Sequence, residues 1–335
     1  MDSEAVESLG RVAHGGNTDP ELLDFSANTN PRIPSGVTAV YEAALSAAKA
    51  YPADDYCEFR AAAADYVGVT GTEIVPAAGS LAGMRLLFSV VLGEGDTVAV
   101  PAPSFSEYAR EVRLQGAEPR FVDHDAILDI DPAAHELVLV CNPNNPTGEC
   151  YPTGDLLRFA EACHDAGTVL CVDEAFLDFT DRPTLAGTPG VVVARSLTKM
   201  FGLPGLRAGF LVATGSLQDR LETVRPTWGM STPAAAVGTH CLGATGFVED
   251  TRERVADIIN EGKEGGVVVR DATTFRGLDS HIRVAVKRPE QNDQLLDALG
   301  VYQPAVEGSV AGAIMICATG TGPTRKASSP NCCLV

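Results

Sequence analysis

The chain has no apolar run of eighteen residues, so no membrane-spanning helix of ordinary length is expected in its 335 residues. It has no block of five like charges, which argues against an acidic or basic tail. None of the nine cysteines (57, 141, 150, 163, 171, 241, 317, 332 and 333) forms a C-x-x-C pair. They read as reduced core thiols of a cytosolic protein, not as a disulfide set, and no metal site is expected. A basic-then-apolar opening is missing too, so the reading is of a protein without a signal peptide, placed in the cytoplasm. The letters of Cys332-Cys-Leu-Val335 match a prenylation box, but nothing else in the chain supports lipidation. No internal repeat and no long low-complexity segment stands out.

Basic residues are scarce: 25 Lys and Arg face 44 Asp and Glu, giving a net charge of -19 and a pI near 4.6. Nucleic acid, whose phosphates demand a basic face, is excluded as an expected partner. The acidity is spread over the whole chain, which fits the cytosol of a salt-loving host, where self-repulsion is screened. Lysine is scarcest of all, with five residues at 49, 199, 263, 287 and 326. One of them lies in the apolar, glycine-rich stretch Arg195-Ser-Leu-Thr-Lys199-Met-Phe-Gly-Leu-Pro-Gly-Leu-Arg207. A buried ammonium loses hydration, so its pKa falls and its amine becomes nucleophilic, as a Schiff-base lysine requires. Ser196, Thr198 and Arg207 are donors suited to a phosphate. The same stretch also reads as a loop lysine beside a packing segment.

The length predicts one large domain and a smaller one. Residues 1–35 are polar and turn-rich and read as an arm. Helices are predicted over 36–50 and 57–67, and a strand at 73–76 turns through Gly79-Ser80 into a helix over 81–92. Such a turn presents free N–H groups to an anion, although it reads equally as an ordinary tight connection. Predicted strands at 97–100, 118–122, 137–141, 168–172 and 191–194 alternate with helices at 104–115 and 155–166. Short apolar strands alternating with amphipathic helices indicate an α/β fold, doubly wound on a mostly parallel sheet. Functional residues then belong at strand C-termini. Asn145-Pro-Thr-Gly148, Asp173-Glu-Ala-Phe176 and Ser196–Lys199 all occupy such ends. Asp173 could keep a pyridine nitrogen protonated, or could simply cap a helix. The texture changes after Arg225, with helix expected over 233–260, strands at 267–270 and 281–286, and a short helix at 290–299. The expected organisation is an arm over 1–35, a large α/β domain over 36–225, a small α+β domain over 226–300 and an atypical tail over 301–335.

These motifs resemble the fold-type I pyridoxal-phosphate enzymes of the class I/II aminotransferase group, over about residues 14–300. The resemblance implies pyridoxal 5'-phosphate as cofactor, with Lys199 as its Schiff-base lysine and Asp173 as the partner of the ring nitrogen. It makes Asn145 the donor to the ring hydroxyl and Phe105 the stacking aromatic. It places the phosphate on Gly79, Ser80 and Leu81 with Ser196, Thr198 and Arg207. Tyr51 is similar to the tyrosine that reaches a neighbouring subunit's phosphate, which implies a homodimer. Two branches compete, histidinol-phosphate aminotransferase and the threonine-phosphate decarboxylase of cobalamin synthesis. The arm, His14-Gly-Gly-Asn17 with Asp24-Phe-Ser-Ala-Asn28-Thr-Asn30-Pro31, resembles the decarboxylase branch, as does Phe176 where aminotransferases carry tyrosine. The implied substrate is a small phosphorylated amino acid, held by His14, Asn17, Asn30, Arg270 and Arg283. The chain departs from the pattern between Arg254 and Gly265, where the small domain reads as truncated, and in the tail, which lacks a complete phosphate loop. An inactive, cofactor-binding relative is the reading from another functional class.

Overall fold

The computed structural model describes residues 1–12, 14–16, 19, 21, 24, 26–261, 270–271, 282–283 and 291, with only the backbone of 256–261, 270–271 and 282–283. The chain opens with a short helix, α1 (Ser3–Ser8), capped by the Asp2 carboxylate on the Ala5 N–H at 2.7 Å. Two helices follow, α2 (Val37–Ala47) and α3 (Cys57–Val67), and then β1 (Ile74–Ala77) runs through Gly79 into α4 (Ser80–Val91). The alternation continues as β2 (Thr97–Ala102), α5 (Glu107–Leu114), β3 (Glu118–Asp123), β4 (Leu137–Cys141), α6 (Thr153–Ala166), β5 (Val169–Asp173) and β6 (Val191–Ser196). After β7 (Gly209–Val212) come α7 (Gly215–Val224), α8 (Thr232–Leu242) and α9 (Thr245–Glu261). The two-residue strands β8 (Arg270–Asp271) and β9 (Ile282–Arg283) pair antiparallel, with Arg270 opposite Arg283.

Seven strands form one sheet in the order β1-β7-β6-β5-β4-β2-β3, parallel except for β7, which runs antiparallel to both neighbours. The central strands are buried on both faces, which is why Leu137-Val-Leu-Val-Cys141 is apolar throughout instead of alternating. Their two-residue period divides the interior. Val138, Val140, Leu170 and Val172 face a core shared with α2, α3, α6 and α8. Leu137, Leu139, Cys171 and Val192 face the opposite core, shared with α4, α5 and α7. Each fully buried aliphatic side chain contributes about 1.5–3 kcal/mol, so the central strands anchor everything at their ends. The six described cysteines are free, and all but Cys57 are buried.

The fold is the doubly wound α/β architecture that the alternation predicts, with differences at particular places. Strand β7 and helix α7 have no counterpart in the sequence pattern: Gly209-Phe-Leu-Val212 follows a Gly/Pro-rich stretch and is too short to show a period. The helix expected over 233–260 is two helices, separated at Gly243 and Ala244. The helix expected from 104 begins at Glu107, because Ser104 turns back on the Pro101 carbonyl. The arm begins as a helix fastened to α5, with the Asp2 N–H donating to the Leu114 carbonyl at 2.8 Å. Apart from the helical Gln291, the helix expected at 290–299, the shortened stretch beyond 261 and the tail beyond 300 lie outside the described residues. Among the described residues no helix is long and apolar enough to cross a membrane.

Candidate active site

The C-terminal ends of β5 and β6 meet the start of β7, and the candidate residues gather around that junction. Asp173, the last residue of β5, is 5% exposed. Its carboxylate accepts from the Tyr108 hydroxyl at 2.7 Å and from the Ala175 N–H at 3.0 Å. Burial raises its pKa, opposed by the Tyr108 and Ala175 hydrogen bonds and then by the charges of Lys199 and Arg195. Burial, and then the Asp173 charge, pushes the neighbouring Cys141 thiol up to about 12, so it stays protonated. Lys199 lies in the turn after β6, half-buried, with Nζ 5.4 Å from the centre of the Phe176 ring.

A cluster of hydrogen-bond donors lies at the ends of β1 and β6 and before β7. Gly79 adopts φ 96°, and a Cβ there would stand 2.5 Å from Arg207 Nη2. Only glycine lets the guanidinium close on the N-terminus of α4, where Ser80 and Leu81 expose helix N–H groups. Arg207 itself has φ 58°, and Nη2 donates to the Ala78 carbonyl at 3.2 Å. Gly209 is equally tight, since a Cβ there would lie 2.9 Å from the Gly79 Cα. The buried Ser196 and Thr198 hydroxyls meet at 2.8 Å at the end of β6.

Above the junction lies an aromatic path that sequence reasoning only partly anticipated. Phe105 stands edge-on to Tyr108, with ring centres 5.4 Å apart, and His14 of the arm lies 5.8 Å from Phe105. His14 Nε2 is 2.7 Å from Glu107 Oε1, and Glu107 is buried. Tyr108 and Glu107 are the residues that sequence reasoning missed. The signal for Tyr108 is its place three residues after Phe105, in the first turn of α5; nothing in the sequence singles out Glu107. The second missed feature is the buried cluster behind Asp173. Arg195 Nη1 meets Glu174 Oε2 at 3.1 Å, and Arg195 Nη2 meets Asp178 Oδ1. Glu174 also accepts from the Thr184 hydroxyl at 2.6 Å and the Leu185 N–H at 2.8 Å.

The other expected residues fall into three groups. Asn145 is buried in the turn after β4. Asn30 is buried, its Nδ2 donating to the Met200 carbonyl at 2.8 Å and to the Thr251 hydroxyl at 3.3 Å, while its Oδ1 accepts from Arg254 at 3.0 Å. Its N–H donates to the Lys199 carbonyl at 3.2 Å, so Asn30 pins the arm onto the lysine turn. Tyr51 is 76% exposed and stacks on Trp228 at 4.0 Å. Asn17 lies outside the described residues, and Arg270 and Arg283 are described by their backbone alone.

The sheet order, with the lysine, the buried carboxylate and the donor cradle at adjoining strand ends, defines the class: fold type I of the pyridoxal-phosphate-dependent transferases. The chain belongs to the aminotransferase class I and II family, whose model matches residues 20–264. It is 29% identical to histidinol-phosphate aminotransferase 1 of Archaeoglobus fulgidus, over 83% of this chain and 98% of that one. It is also 29% identical to the threonine-phosphate decarboxylase of Salmonella typhimurium, over 87% of this chain and 97% of that one. Its fold is similar to that of histidinol-phosphate aminotransferase from Sinorhizobium meliloti in complex with pyridoxal-5'-phosphate, with TM-score 0.77, 19% identity, and coverage of 89% and 96%.

Pyridoxal 5'-phosphate is the cofactor, and the residues present fit it. The cradle of Gly79, Ser80, Ser196, Thr198 and Arg207 is composed of donors, as a phosphate dianion requires, with space kept by a glycine that a Cβ would fill. A buried carboxylate with a raised pKa suits a cationic ring nitrogen, which offsets the cost of keeping it ionised.

Proposed function

We propose that the chain decarboxylates L-threonine O-3-phosphate to an aminopropanol phosphate, a step of cobalamin synthesis. The observation that carries this reading is the arm. His14 reaches the Phe105 ring and the buried Glu107, so a donor-bearing segment lies over the stacking aromatic, where a small phosphorylated amino acid would need it. The lysine turn faces Phe176, a ring with no hydroxyl, as in the decarboxylase branch that the sequence resembles. Transamination of a histidinol-phosphate-type substrate is the second reading, favoured by the relative from Archaeoglobus fulgidus, and identity does not separate the two.

When bound, the cofactor supplies a conjugated cationic ring that takes up the electron pair released at the substrate Cα. In this proposal Lys199 Nζ would hold the cofactor covalently, and Asp173 would keep its ring nitrogen protonated. Phe105 would pack against the cofactor, and Asn145 would donate to it. Gly79, Ser80, Leu81, Ser196, Thr198 and Arg207 would hold the cofactor phosphate, and Tyr51 of a second subunit would complete that site. Arg270 and Arg283 are cross-strand partners of β8 and β9, and they are proposed to bind the substrate's carboxylate and phosphate. His14, Asn17 and the Asn30-pinned arm close the substrate side. Decarboxylation would require the residues of the substrate side to hold the carboxylate in place for loss of CO2, with Lys199 Nζ as the group placed to return a proton to Cα. In the second reading Lys199 Nζ would instead serve as the base that takes the Cα proton.

Incubating the cofactor-loaded protein with L-threonine O-3-phosphate tests the proposal. Stoichiometric CO2 and an aminopropanol phosphate are expected. Amino transfer from histidinol phosphate to a supplied keto acid, giving the corresponding ketone phosphate and an amino acid without CO2 release, would assign the chain to the aminotransferase branch. A cofactor band with no turnover of either compound would make it an inactive relative.

A further inference from the structure

Six of the nine large apolar side chains exposed among the described residues come from two segments that pack on each other. Ile33, Tyr41, Leu45 and Tyr51 belong to the first, and Val224 and Trp228 to the second. Where the segments meet, the Tyr51 and Trp228 rings stack at 4.0 Å with planes 16° apart, although both rings are exposed. Trp228 has φ 55°, a left-handed conformation that a bulky residue adopts only when its surroundings impose it. The surroundings do so here. Asp54 Oδ1 accepts from the Trp228 N–H at 2.8 Å, and the same carboxylate takes the Arg225 guanidinium at 3.1 and 3.2 Å. Arg225 lies over the Tyr56 ring at 5.5 Å, and the Tyr56 hydroxyl donates to the Met230 carbonyl at 2.8 Å and accepts from the Met230 N–H at 3.1 Å. The brace therefore presents an indole to solvent as a shelf for one tyrosine.

We propose that Trp228 is a positioning residue, holding Tyr51 at the angle that lets its hydroxyl reach the cofactor phosphate of a second copy of this chain. The proposal rests on the cofactor site and the Tyr51 role given under the proposed function. Complementarity on the surface supports it. The Arg207 guanidinium of the phosphate cradle is exposed, and so is the Tyr51 phenol; a two-fold pairing of copies joins each donor to the other copy's cradle. Two stacked aromatic rings left in water are the kind of apolar surface that a second protein copy covers.

Cofactor affinity, read from the absorption band of the bound cofactor, tests this on the full chain. Loss of one hydrogen bond to a phosphate predicts that Tyr51→Ala and Trp228→Ala each weaken pyridoxal phosphate about tenfold. The double variant is then no weaker than Tyr51→Ala alone, Trp228→Phe stays within about threefold, and pyridoxal without its phosphate binds all variants like wild type. Mixing Trp228→Ala subunits with Lys199→Ala subunits restores one tight site per hybrid dimer. Wild-type affinity in Trp228→Ala, additive losses, equal loss of pyridoxal and its phosphate, or no restoration in the mixture overturns the proposal. If wild type binds no cofactor, the cofactor reading fails and the shelf is judged by fluorescence. Trp228 is the chain's single tryptophan, and the proposal requires the shorter-wavelength emission of a covered indole in the dimer. The emission of a water-exposed indole, or a chain that stays monomeric, overturns it.

Discussion

At the scale of single residues, the proposed site turns on one buried carboxylate, Asp173. Burial raises the Asp173 pKa, so the folded chain without cofactor binds a proton there more readily than the unfolded chain, whose carboxyl titrates at about 3.9. The sign follows. Asp173 makes the cofactor-free protein lose stability as pH rises from that value through its own raised pKa. A cationic ring nitrogen reverses the preference, so cofactor affinity is expected to fall as pH drops through the raised pKa. Titrating cofactor affinity against pH checks this, and Asp173→Asn removes the dependence. Tyr108→Phe deletes the 2.7 Å bond to Asp173, raises that pKa further and starts the fall at higher pH. Lys199 and Asp173 were legible in the sequence because each is a chemically unusual residue at a strand end. Tyr108 was not, since a tyrosine in an amphipathic helix looks like core until the fold brings β5 beneath it.

Among the elements, the joints between strands and helices carry the site, and glycines decide how closely they approach. Gly79→Ala would put a Cβ 2.5 Å from Arg207 Nη2 at a positive φ. The guanidinium must move, and pyridoxal-phosphate affinity is expected to fall at least tenfold, with a stability loss of about 1–3 kcal/mol by thermal melting. Gly202 has φ 65°, and a Cβ there would lie 2.4 Å from the Arg32 carbonyl oxygen and 2.6 Å from that of Asn30. Both contacts are to backbone, so Gly202→Ala is expected to lift the arm from the lysine turn, read as faster proteolysis of residues 1–35. The strands of the sheet were legible because buried parallel strands are unbroken apolar runs. The antiparallel β7 was hidden by its four-residue length and the glycines before it, and with it the reason Gly79, Arg207 and Gly209 converge.

Over the whole molecule, buried charge and surface charge act in opposite ways. Arg195 is 4% exposed between Glu174 and Asp178, which outweigh the burial that would otherwise lower its pKa. Arg195→Met would strand two buried carboxylates and is expected to cost about 3–5 kcal/mol in denaturant unfolding, with Arg195→Lys recovering only part of it. On the surface, a net charge of -19 repels itself, so the melting temperature is expected to rise between low and molar salt. Net charge was legible from composition, whereas the Arg195 cluster was not, because its members are seventeen and twenty-one residues apart in sequence. Lys199, one of five lysines, is the residue proposed to carry the cofactor covalently. Borohydride reduction of the cofactor-loaded protein followed by peptide mass spectrometry tests it most directly. A pyridoxyl adduct on the peptide containing Lys199 is the predicted result; an adduct on any of the other four lysines, or none at all, would contradict it.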